Sequence, residues 1–144
     1  MPVTYCNPAI KEIADNIVDI LKNTGFAIQR YDAYSTDSVY LKLDYGVANT
    51  IRISDHPGKA YLKYRYNVII DGEINITEDE YTRYFYNQNT IDHLINQIRF
   101  DKMAKIKKYG QRCYMSFMEK NKHDKNGSKG FWADAKIIHD PYFD

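Results

Sequence analysis

The apolar residues of this chain change period early, and that change restricts the fold more than any other feature. Ile10, Ile13, Ala14, Ile17, Val18 and Leu21 recur every three or four residues, as the buried stripe of an α-helix does. Asn7-Pro8 supplies an N-cap followed by proline at the first helical position, and Gly25 a C-terminal stop, so the spacing predicts a helix over about 8–23. From Val39 the period falls to two. Val39, Leu41 and Leu43 alternate with Ser38, Tyr40, Lys42 and Asp44, and Ile51-Arg52-Ile53 follows the turn-like Tyr45-Gly46, which reads as two antiparallel strands. A strand from about Phe26 to Tyr31 precedes them, and Tyr61 to Ile70 reads as a long strand between the turns Asp55-His56-Pro57-Gly58 and Asp71-Gly72.

Helical spacing returns at Thr90, with Ile91, Leu94, Ile95, Ile98, Met103 and Ile106 placed along an inner side as far as Tyr109-Gly110. The segment 77–87 combines a capping box, Thr77 and Glu80, with the strand formers Tyr84, Phe85 and Tyr86, and a strand near 82–87 is expected. The expected fold is therefore α+β: an N-terminal helix, an antiparallel sheet of about four or five strands, and a C-terminal helix or helices. Residues 1–120 read as one domain and 121–130 as a mobile polar loop. Residues 131–144 read as a tail apolar enough to dock back or to engage a partner. A length of 144 residues allows a sizeable core without metal or disulfides. Cys6 and Cys113 read as buried reduced thiols, and the absence of a long apolar run or signal pattern places the expected protein in the cytoplasm, with no membrane partner.

Residues suited to catalysis are scattered. Four histidines each adjoin an aspartate, at His56, His93, His123 and His139, but adjacent residues point apart and lack metal-ligand spacing. Asp71 and Glu73 flank a turn without the Glu-x-Lys strand that a metal-dependent nuclease uses, and Ser54-Asp55-His56 is too short a stretch to fold into a triad. No enzymatic activity, catalytic residue, metal or cofactor is expected.

Charge is more informative. Residues 1–98 carry 9 basic against 13 acidic side chains, whereas 99–129 carry 10 against 3, a net of +7. Such a division points to an anionic partner. Arg99, Lys102, Lys105, Lys107, Lys108 and Arg112 lie on or just after the second helix, and 102, 105 and 108 advance by three along one face that could track phosphates. Arg52, Lys63 and Arg65 stand among tyrosines on the expected sheet, an arrangement able to stack bases and hold phosphates.

Asp37-Ser38-x-Tyr40, Ile51-Arg52-Ile53-Ser54-Asp55-His56, Val68-Ile69-Ile70 and Ile91-Asp92-x-x-Ile95-Asn96-x-Ile98 occur in that order. Over roughly residues 35–98 the chain resembles a set of small phage-encoded proteins that includes a broad-acting type II-A anti-CRISPR protein. The resemblance implies an inhibitor that works in the host cytoplasm by binding a defence nuclease or its guide RNA. A nucleic-acid-binding accessory protein is the alternative, and a metal-dependent nuclease comes third. The anti-CRISPR protein has an arginine-rich segment before its folded domain, whereas here the basic residues follow, so any such arm would be residues 99–129. The expected partner-binding residues are Arg52, Asp55, His56, Lys63, Arg65, Arg99, Lys102, Lys105, Lys108 and Arg112.

Overall fold

Pro8 opens the first helix, α1 (Pro8–Lys22), and its apolar stripe becomes the lid of the core: Ile10, Ala14, Ile17 and Leu21 have no exposed surface. The computed structural model describes residues 8–32, 38–54, 65–69, 77–78, 84–87, 90–123 and 136–142. Asn23 and Thr24 close the helix by donating to the carbonyls of Ile20 and Leu21, both at 3.1 Å, and Gly25 then takes φ +82°, a left-handed turn that side chains disfavour.

Seven strands follow among the described residues: β1 (Ile28–Asp32), β2 (Val39–Leu43), β3 (Thr50–Ser54), β4 (Tyr66–Ile69), β5 (Thr77–Glu78), β6 (Tyr84–Tyr86) and β7 (Lys136–His139). They form one sheet in the order β5-β6-β4-β3-β2-β1-β7. The α+β class, the N-terminal helix and the C-terminal helices are as the sequence predicts, and the sheet is mostly antiparallel. It is nonetheless mixed: β4 runs parallel to both β3 and β6. Parallel neighbours cannot be joined by a tight hairpin, so β4 does not return antiparallel against β3; the turn expected at Asp55-His56-Pro57-Gly58 and the first part of the expected long strand, 61–64, lie outside the described residues.

Two helices complete the chain's architecture, α2 (Ile91–Tyr109) and α3 (Gln111–His123), divided by Gly110 at φ +91°. Thr90 does not cap α2 with its side chain; its hydroxyl instead exchanges hydrogen bonds with Asn87. Ile91, Leu94, Ile95 and Ile98 join α1 on the sheet face formed by Val39, Leu41, Leu43, Ile51, Ile53, Tyr66 and Val68. Met103 is not on that inner side as predicted, and is 63 % exposed. It lies five residues beyond Ile98, a rotation of about 140° at 3.6 residues per turn. A smaller cluster of Ala27, Tyr45, Val47, Tyr114 and Met118 sits under α3. Cys113 is exposed on α3, not buried.

Residues 121–123, placed in a loop by their composition, end α3, while 124–135 lie outside the described residues. From the expected tail, β7 pairs antiparallel with β1 and extends the sheet by one edge strand. No helix among the described residues is long and apolar enough to cross a membrane.

Candidate anion-binding cleft

Past Leu43 the chain turns through Asp44, Tyr45 and Gly46 at φ of 49°, 55° and 93°, three left-handed residues in succession. For the two non-glycine residues this conformation costs about 1–2 kcal/mol each, so surrounding contacts must hold it. They are all present. The buried Asp44 carboxylate accepts from the Ala27 amide at 2.9 Å and from the Tyr114 hydroxyl at 2.5 Å, and pairs with the Lys102 ammonium at 2.9 Å. Asn121 donates to the Tyr45 carbonyl at 2.9 Å, and the Tyr45 hydroxyl donates to Asp140, which also holds Lys122.

The fixed turn sets Val47, Ala48 and Asn49 opposite one flank of α2, leaving a cleft of about 350 Å³. Asp101, Lys102, Ala104, Lys105, Lys108 and Tyr109 line it from α2, and Arg65 from the residue before β4. Four cations thus face one carboxylate around a concavity.

These cations are not equivalent. Lys102 is committed to the interior, with its ammonium on Asp44 and the Gly25 carbonyl and within 4.4 Å of the Phe26 ring centroid. Arg65 pairs with Asp101 at 3.1 Å and lies 4.8 Å from the Tyr84 ring centroid; burial works against its charge, but Asp101 outweighs burial and raises its pKa. Asp101 also accepts from the Tyr66 hydroxyl at 2.5 Å and from Gln97 at 2.8 Å, which fixes its position. Burial first, and this carboxylate second, push the Tyr66 pKa upward, so its proton stays on. Lys105 and Lys108 have no carboxylate partner among the described residues. Lys105 gives one hydrogen bond to the Val47 carbonyl at 2.8 Å, and Lys108 lies 5.2 Å from the centroid of the half-exposed Tyr109 ring. Two uncompensated ammonium groups beside an accessible ring can hold a phosphate and the base next to it.

Of the ten expected partner-binding residues, Arg65, Lys102, Lys105 and Lys108 come together here. Arg99 is exposed on the far side of α2, about half a turn round from Lys108, and Arg112 is exposed on α3. Arg52 does not reach an accessible sheet face. It is 3 % exposed in the middle of the sheet, level with Tyr40 on β2 and Asn67 on β4, and donates to the Ser54 hydroxyl at 3.3 Å. Asp55, His56 and Lys63, with Asp71 and Glu73, lie outside the described residues. Tyr109 and the wall Val47–Asn49 were not singled out from sequence; the Lys107-Lys108-Tyr109-Gly110 run, a basic helix end carrying an aromatic, was the available signal. No group of three His, Cys, Asp or Glu among the described residues is placed to hold a metal ion. No protein-family model, curated protein or solved structure matches this chain.

Proposed function

We propose that this protein is a non-enzymatic inhibitor of a nucleic-acid-targeting defence nuclease, and that its cleft grips the phosphate backbone of the nuclease's guide RNA. The observation that carries the reading is the convergence of Lys105 and Lys108, both without carboxylate partners among the described residues, on a concave site walled by the Tyr109 ring. The net charge of +7 over residues 99–129, the segment that supplies both lysines, supports it by favouring a polyanionic partner. The motifs shared with the phage-encoded set supply the choice of target.

The test compares binding to a type II effector nuclease with and without its guide RNA, using the parent chain and a Lys105→Glu/Lys108→Glu variant. The expected result is binding to the loaded nuclease, loss of its DNA cleavage, and failure of both in the variant. Equal binding to protein-free RNA of any sequence, with no effect on cleavage, would instead make the chain a nucleic-acid-binding accessory protein. Failure to bind either would overturn the cleft assignment.

A further inference from the structure

We propose that the outer face of α2, centred on Phe100 and Met103, is a second docking surface, and that its occupant is an acidic protein segment carrying apolar side chains. Phe100 is 69 % exposed and Met103 63 % exposed, and they stand one helical turn apart. Exposed Asn96 shares the face, exposed Arg99 and Lys107 border the apolar pair, and Ala104 of the cleft lining marks its limit on the other side. From 96 to 107 this face holds no acidic residue. Two large apolar side chains on the side of a helix turned away from the core contribute nothing to packing, and adjacent exposed apolar groups of this kind mark interaction sites.

The surrounding chemistry selects the occupant. Apolar anchors ringed by cations have the anatomy of a protein interface, with a dry centre and a charged rim, and the complement of that rim is acidic. A second copy docked face to face would set Arg99 and Lys107 against their own like charges, because a two-fold contact pairs a patch with itself. Nucleic acid fits less well, since the Met103 thioether offers no ring on which a base can stack. Measured from the midpoint of Phe100 and Met103, Lys105 lies about half a turn and Lys108 about a third of a turn round α2, so a strand held between these lysines runs along a different flank of the helix. The two surfaces are independent, and either assignment can fail alone.

The test uses the full chain and a synthetic peptide of about 20 residues rich in Asp and Glu, with Leu at every third or fourth position. A second peptide has Ser in place of each Leu, and a third probe is single-stranded RNA. The Leu peptide is expected to bind, with affinity falling about tenfold or more in Phe100→Ser/Met103→Ser and again in Arg99→Glu/Lys107→Glu, and unchanged in Lys105→Glu/Lys108→Glu. In the unaltered protein the same peptide should slow peroxide oxidation of Met103, a readout that does not depend on any variant folding. Absence of binding, equal binding of the Ser peptide, or no protection of Met103 would overturn the proposal. So would loss of RNA binding in Phe100→Ser/Met103→Ser, which would make the face a nucleic-acid platform, or a dimer of the parent chain that this variant dissolves.

Discussion

The Lys102 ammonium lies 2.9 Å from the carboxylate of Asp44, which has no exposed surface. A lysine from the basic stripe of α2 therefore neutralises the residue that opens the left-handed turn, and two elements distant in sequence depend on one ion pair. Removing one partner of such a pair leaves a buried charge without compensation.

Lys102→Ala should accordingly destabilise the protein by about 3–5 kcal/mol, whereas Lys108→Ala, at an exposed position, should change stability by less than about 0.5 kcal/mol. Denaturant melts of the two variants give the comparison. Equal small losses would show that Lys102 belongs to solvent and that the turn is held by its other contacts.

Binding of RNA should weaken as salt rises, because each phosphate contact releases a counterion. Lys105→Glu and Lys108→Glu should each lower the slope of log affinity against log salt by about one. Arg99→Glu, on the opposite flank of α2, should leave the slope nearer its parent value. A slope that falls equally for all three would mean a diffuse field and no discrete cleft.

Ile17→Ala removes a side chain with no exposed surface from the middle of α1 and should cost about 2–4 kcal/mol. Phe100→Ala removes a larger one that is 69 % exposed and should cost less than about 0.5 kcal/mol. Thermal and denaturant melts decide both.

Alkaline stability should track a set of held tyrosine protons. Burial, and then the neighbouring Tyr84 hydroxyl and Asp101, push the Tyr86 pKa from 10.0 up to about 12, and burial likewise raises Tyr45, Tyr66 and Tyr114. A raised folded-state pKa adds stability that is complete below the unfolded value, here 10.0 for Tyr86, and is lost as pH climbs toward about 12. Tyrosinate absorbance should thus rise in two stages, exposed rings first and these four together with unfolding. A single smooth titration ahead of unfolding would contradict the burial described.

Acid should loosen a different junction. Asp32 on β1 accepts from Lys11 of α1 and from Arg30, each at 2.7 Å, and Arg30 reaches back to Asp15 at 2.7 Å. Burial opposes the Asp32 charge, but its two cations prevail and lower its pKa below 3.8, so its contribution is present above that value and vanishes as pH falls through the lowered one. Asp32→Asn should melt earlier than the parent at neutral pH, and the gap should close in acid.

What the sequence disclosed follows from which forces are local. The α1 stripe and the alternation Val39-Leu41-Leu43 were legible because helix and strand periods place side chains without reference to distant chain. The parallel pairing of β3 with β4 was not, because pairing direction depends on a crossover and leaves no mark on either strand's own pattern. Arg52 reads as surface in an alternating strand, yet in the sheet's interior Tyr40 and Asn67 stand level with it on either side. The 102-105-108 spacing correctly put three lysines on one flank of α2. It could not show that Asp44, almost sixty residues earlier, would take the charge of one of them.

The pairing of β1 with β7 sets a limit on how this protein folds. Ile28 lies opposite His139, so that contact closes a loop of about 110 residues. Loop closure grows costlier with length, and contacts this distant form late and slow the reaction. The edge strand should therefore be the last part of the sheet to gain protection from hydrogen exchange during refolding. Until then β1 exposes a row of bare amides and carbonyls, the groups through which immature sheets pair with the wrong chain.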